Sequence, residues 1–93
     1  MENLEIGSVV ISKAGRDCGE IYMVYGIEKD KLVLINGRSK KIENPKRKNA
    51  KHVIVTQQKL SIISDKLKTN KKIFDSEVYS ALKNYTDNLD ENI

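Results

Sequence analysis

The feature that most constrains the fold is a run of residues at 20–28 (EIYMVYGIE) that is apolar on both faces of the expected strand. Successive side chains of a strand point to opposite faces of the sheet. One face would carry Ile21, Met23, Tyr25 and Ile27, and the other Tyr22 and Val24. Because neither face is polar, this strand needs apolar cover on both sides, which a small closed barrel provides.

Other short runs predict the remaining strands. Residues 8–12, 32–35 and 52–56 are rich in β-branched side chains and are bounded by turn-forming or charged residues. The pair Asn36-Gly37 predicts a two-residue hairpin turn, since a type I′ turn requires positive φ at both positions. The segment 40–42 then becomes the fourth of five strands. Short strands at this spacing predict a mainly β fold.

After Thr56 the apolar period changes from that of a strand to that of a helix. One stripe consists of Leu60, Ile63 and Leu67, and the next of Val78, Leu82, Tyr85 and Leu89. These stripes predict two short helices, the second capped by Asp75 or Ser76, with residues 90–93 fraying. We therefore expect a barrel at 1–57 and a helical extension at 58–93, which docks either on the barrel or on a partner.

Positive charge is concentrated in the predicted barrel. The whole chain has a net charge of +4, but residues 1–60 carry +5 and residues 61–93 carry −1. The segment 38–51 alone has seven basic side chains and one acidic side chain, Glu43. A segment this basic repels itself unless it stays solvated or an anionic partner covers it, and a nucleic-acid backbone is a common partner of that kind.

The sequence gives little support to an enzyme, a cofactor or a membrane protein. Its 93 residues leave little room for a deep pocket, and no acid–base pair, activated nucleophile or metal-ligand spacing is evident. The single cysteine, Cys18, excludes an internal disulfide. No apolar run is long enough for a membrane span, and the first residues lack a secretory leader. We expect a cytoplasmic protein.

The segment 7–24 (GSVVISKAGRDCGEIYMV) resembles a KOW motif. The resemblance continues through Asn36-Gly37-Arg38 and 44–52 (NPKRKNAKH), which are similar to small bacterial KOW-domain RNA-binding proteins related to an archaeal and eukaryotic large-subunit ribosomal protein family. It covers roughly residues 5–57. The resemblance implies an SH3-like barrel that binds RNA, usually ribosomal RNA, without catalysis. Cys18 departs from the pattern, because relatives often carry a basic residue there.

The charge pattern and this resemblance together predict the residues of an RNA surface. The candidate RNA contacts are Lys13, Arg16, Arg38, Lys40, Lys41, Lys46, Arg47, Lys48, Lys51 and His52. The residues expected to shape the loops are Gly15, Asp17, Gly19, Asn36, Gly37 and Pro45. Residues 46–51 are expected in a basic loop that Pro45 pre-bends. Removing the charges of Lys46, Arg47 and Lys48 together should then weaken RNA binding without affecting folding.

Each of these assignments has a simpler alternative. The 14–19 loop is either a phosphate-binding turn closed by Arg16 or an ordinary tight loop in which Asp17 pairs with Arg16 or caps a turn. A lone histidine such as His52 is more often a packing or hydrogen-bonding residue. The helices either contact neighbouring ribosomal proteins or make the chain an adaptor of the translation or transcription machinery. Tyr22 and Tyr25 are not both expected to stack on bases, since at least one belongs to the core.

Overall fold

The fold places two helices after a five-stranded sheet. A computed structural model describes residues 4–91, with the side chains of residues 4–88. The strands are β1 (Ser8–Ser12), β2 (Ile21–Glu28), β3 (Lys31–Ile35), β4 (Lys46–Asn49) and β5 (Val53–Lys59). A short 3-10 turn (Ala50–His52) joins the last two strands, and the helices are α1 (Ser61–Lys68) and α2 (Asp75–Glu91).

The strands form one antiparallel sheet in the order β4-β3-β2-β1-β5. The edges of this sheet are β4 and β5, and no ladder joins these two strands within residues 4–91. The mainly β architecture with five strands and two C-terminal helices is therefore confirmed.

Strand β2 is buried on both faces, as its apolar sequence predicted. Met23 packs with Val9 in one cluster, and Tyr22 and Val24 pack with Val10 in the cluster on the opposite face. All five side chains are at most 2% exposed. The sheet therefore has two apolar faces, each with its own core.

The C-terminal helices provide the cover for one of these faces. Ile63 of α1 and Val78 and Leu82 of α2 belong to the same buried cluster as Met23. Both predicted helices are confirmed, but α2 is 17 residues long and is not short. Of residues 90–93, which were predicted to fray, Asp90 and Glu91 continue α2, and Asn92 and Ile93 lie outside the described residues. Within residues 4–91, neither helix is long and apolar enough to cross a membrane.

The position predicted for the fourth strand is wrong. Strand β4 is Lys46–Asn49, and residues 40–42 belong to the connection that precedes it. The predicted two-residue turn is absent as well, because Gly37 has positive φ and Asn36 does not. The Asn36 side chain instead accepts hydrogen bonds from the backbone N–H groups of Arg38 and Lys40, each at 2.9 Å. An asparagine that bonds to its own backbone in this way stabilises a wider loop.

The β3–β4 connection is anchored directly to α2. Asp75, at the start of α2, accepts a hydrogen bond from the backbone N–H of Ile42 at 2.9 Å. Gly37 lies so close to the helix that a Cβ atom there would stand 2.1 Å from the carbonyl oxygen of Asp75 and 2.8 Å from the amide nitrogen of Tyr79. The connection and the first turns of α2 are therefore fixed against each other.

This close approach predicts that Gly37→Ala destabilises the protein more than Gly19→Ala does. Both glycines have positive φ (+75° and +95°), but no atom lies within 4 Å of the Cβ position at Gly19. Gly19→Ala should cost about 1–2 kcal/mol through backbone strain alone. Gly37→Ala should cost about 2–3 kcal/mol more, because the helix backbone must move. Urea unfolding of the two variants measures the difference, and equal costs would contradict the packing of α2 on this connection.

Candidate nucleic-acid interface

A mostly buried carboxylate organises the loop that joins β1 to β2. Asp17 Oδ1 accepts hydrogen bonds from Ser12 Oγ at 2.9 Å and Lys48 Nζ at 3.0 Å, and its Oδ2 accepts one from Tyr22 Oη at 2.8 Å. The Asp17 side chain is only 14% exposed. These bonds join the loop to β1, β2 and β4. Asp17 therefore has the loop-shaping position that we predicted, but its partner is Lys48 and not Arg16.

The expected surface role of Lys48 does not fit its position. Its Nζ also donates a hydrogen bond to the carbonyl oxygen of Ala14 at 2.8 Å, and the side chain is 10% exposed. The physical reason is strand alternation: residues 46–49 form β4 and not a loop, so Lys46 and Lys48 share the face towards Asp17 and Arg47 points the other way. We therefore leave Lys48 out of the candidate RNA surface. Because Lys46 and Lys48 both contact Asp17, we now expect the combined substitution of Lys46, Arg47 and Lys48 to destabilise the protein as well as to weaken RNA binding.

The charges of this network shift two pKa values. Burial raises the pKa of Asp17, but the hydrogen bonds from Tyr22, Lys48 and Ser12 and the positive charge of Lys46 outweigh burial, so the pKa lies well below 3.8. Burial, followed by the hydrogen bond to Asp17, raises the pKa of the Tyr22 hydroxyl. The carboxylate therefore stays ionised and the phenol stays neutral at neutral pH.

Five candidate contacts are brought together around this loop. Lys13 and Arg16 are exposed on or beside it, and the backbone N–H of Lys13 donates to the carbonyl oxygen of His52 at 3.0 Å. Lys46 Nζ lies 3.8 Å from Asp17 Oδ2 and its side chain is 30% exposed. Lys51 and His52 are exposed in the 3-10 turn. The loop cluster is defined as Lys13, Arg16, Lys46, Lys51 and His52.

A second basic group lies in the β3–β4 connection. Arg38 and Lys41 are exposed and Lys40 is half-buried. Arg38 borders the same cleft as Gly19 and Glu20, at the end of the β1–β2 loop. The connection therefore adjoins the end of the β1–β2 loop.

Arg47 is the candidate that lies apart from both groups. It forms an ion pair with Glu28 at 3.0 Å, and both side chains are more than half exposed. Such a solvated pair contributes little to stability. By contrast, Lys13, Arg16, Arg38, Lys40, Lys41 and Lys51 form no ion pair with an acidic side chain within residues 4–88.

Ser12 and Tyr22 are the site residues that the sequence analysis did not identify. Each hydroxyl donates to Asp17. A signal for Tyr22 was present, because a buried tyrosine hydroxyl needs a hydrogen-bond partner, and Asp17 and Glu20 are the acidic residues that closely precede β2. In the described part of the chain, no group of three or more His, Cys, Asp or Glu side chains is placed to bind a metal ion.

Because folding depresses the pKa of Asp17, the network predicts a specific pH dependence. The contribution of this carboxylate to stability is complete above its unfolded pKa, near 3.8, and is lost as the pH falls below that value. Asp17→Asn should lower the free energy of unfolding by about 1–3 kcal/mol at neutral pH. The difference from wild type should stay constant above about pH 5 and shrink at lower pH.

Chemical denaturation at a series of pH values measures this difference. Glu43→Gln provides the control, because Glu43 is exposed in the β3–β4 connection, and its effect should stay within about 0.5 kcal/mol. A loss for Asp17→Asn that did not change between neutral and acid pH would contradict the ionised carboxylate as the organising group.

The resemblance to KOW proteins rests on sequence motifs of this chain, without support from a comparison with known proteins. No protein-family model matches the sequence, and no curated protein matches it significantly. Membership of that family therefore stays a prediction.

Proposed function

We propose that this chain is a non-catalytic RNA-binding protein that recognises structured RNA, ribosomal RNA above all, through phosphate contacts. The observation that carries the proposal is the loop cluster. It presents several cations around one fixed loop, and three of them, Lys13, Arg16 and Lys51, form no ion pair with a described acidic side chain.

The fold type that we propose is an SH3-like barrel of the KOW kind. The sheet order separates β4 from β1 by two strands, yet Lys48 of β4 bonds to the loop that follows β1. That contact supports a sheet curled enough to bring its ends together. A cluster formed by Val10, Tyr22, Leu34 and Val53, from four different elements, supports an enclosed interior.

A fixed loop favours binding, because an ordered surface loses less conformational entropy when it meets its ligand. Among these residues, Arg16 contributes most to recognition of the shape of the RNA backbone, because its planar guanidinium can hold one phosphate through two hydrogen bonds. Lysines contribute point charges. A surface of this kind follows a folded backbone and does not read a base sequence.

The second basic group extends the proposed surface towards α2. Arg38, Lys40 and Lys41 add cations to those of the loop cluster, so that contact with about four to six phosphates is expected. Because the resemblance to KOW proteins implies ribosomal RNA as the ligand, we propose that the protein acts in the cytoplasm as a ribosomal or ribosome-associated factor.

The alternative function is an adaptor that binds another protein. The observation in its favour is Ile62 of α1, which is 75% exposed beside a groove between α1 and α2. Tyr22 and Tyr25 do not supply an aromatic groove for proline-rich ligands, since both pack in the core clusters. If a partner still copurifies with this protein after nuclease treatment, the adaptor is favoured. If nuclease treatment abolishes the copurification, RNA binding is favoured.

The proposal predicts that Lys13→Gln/Arg16→Gln weakens binding to structured RNA. Affinity of the wild type should fall with salt with a log–log slope of roughly −3 to −5. The double variant should reduce the magnitude of that slope by about 1.5, because two phosphate contacts are lost. Fluorescence anisotropy of a labelled ribosomal RNA fragment over a salt series measures both quantities.

Lys71→Gln/Lys72→Gln is the matched control. It removes the same charge from the connection between α1 and α2, where both lysines are exposed. Its affinity and salt slope should stay close to those of the wild type. Equal losses in the two double variants would mean that net charge alone binds RNA, and the loop cluster would not be the site.

A further inference from the structure

A cleft between the sheet and α2 combines features that the loop cluster lacks. Its volume is about 240 Å³, and it lies between the end of the β1–β2 loop, the β3–β4 connection and the middle of α2. We call it the α2 cleft. None of the residues contributed by α2 belongs to the RNA surface predicted from the sequence.

The walls of the α2 cleft carry an aromatic ring and charges of both signs. Tyr79 is 40% exposed, and Arg38 and Lys83 border the same space. Glu20 also borders the cleft, and Leu82 contributes apolar surface. A bare anion would be repelled by Glu20, and an apolar ligand would make no use of the charges of Arg38 and Lys83.

A nucleotide satisfies all of these groups together. Its base can stack on Tyr79, its phosphates can contact Arg38 and Lys83, and an N–H group on the base edge can donate to Glu20. Lys83 is free to make such a contact, because its ion pair with Asp87 is long, at 3.8 Å, and both side chains are more than half exposed.

The two sides of the α2 cleft are held at a fixed separation. Gly37 packs against the backbone of Asp75 and Tyr79, and Ile42 donates a hydrogen bond to Asp75. Arg38, which follows Gly37, is thereby kept beside Tyr79. The cleft is formed before any ligand arrives, which reduces the entropy lost on binding.

We infer that the α2 cleft binds an unpaired RNA base, stacked on Tyr79 with its flanking phosphates on Arg38 and Lys83. The inference rests on the proposed RNA-binding function and deepens it. Gly19 and Glu20, which line the α2 cleft, end the same β1–β2 loop that carries Arg16, so one RNA could contact both sites. The chain would then recognise a folded RNA beside an unpaired nucleotide.

The test compares Tyr79→Leu with Tyr79→Phe on two RNA probes. The probes are a single-stranded oligoadenylate and a blunt RNA duplex with the same number of nucleotides. Tyr79→Leu keeps an apolar, helix-forming side chain and removes the ring, so it should weaken oligoadenylate binding at least about fivefold. Its duplex affinity should not change. Tyr79→Phe keeps the ring and should bind both probes as the wild type does.

Lys83→Gln gives a second, independent measurement. Lys83 is exposed on α2, so this variant should fold normally, and it should lower the magnitude of the salt slope for oligoadenylate by about 0.7. The base site would be overturned if Tyr79→Leu and Lys83→Gln both bound oligoadenylate as tightly as the wild type. If Lys13→Gln/Arg16→Gln still lost affinity for structured RNA in that case, the proposed function would stand. A wild type that bound no RNA at all would overturn both.

Discussion

The Asp17 carboxylate is the constraint on which the arrangement of the interface depends. It is placed where burial alone would favour its neutral form, and it stays charged because Lys48, Tyr22 and Ser12 donate to it. Breaking a buried pair of this kind by removing one partner leaves an uncompensated charge. Four segments of the chain are thereby fixed around one group: the 14–19 loop and strands β1, β2 and β4.

This network also explains why so basic a segment forms a strand. Along β4 the side chains alternate, so Lys48 is neutralised inside while Arg47 remains in solvent beside Glu28. The positive charge of the chain is therefore divided between a structural role and a free surface. In the barrel segment, the loop cluster and the Arg38 group supply the cations that we propose for an anionic partner.

The sequence predicted the parts of the fold that depend on apolar period. The two-sided burial of β2 and the stripes of both helices follow from spacing alone. It failed in the β3–β4 connection, because the local signal of Asn36-Gly37 was overridden by the side-chain bonds of Asn36 and by the packing of α2 on Gly37. Lys48 was mistaken for a surface residue because residues 46–49 form β4 and not a loop, which turns Lys48 towards Asp17. A contact between positions 17 and 48 leaves no trace in local spacing, and neither does the presence of Arg38 and Tyr79 at one cleft.

The most direct test of the account is co-sedimentation of the tagged protein with ribosomal particles at low and high monovalent salt, beside a nuclease-treated sample. The account predicts that the protein migrates with the large subunit at low salt and is released both by high salt and by nuclease, since phosphate contacts dominate. A protein that stayed at the top of the gradient at every salt concentration, while it copurified with a protein partner after nuclease treatment, would contradict RNA binding as its function.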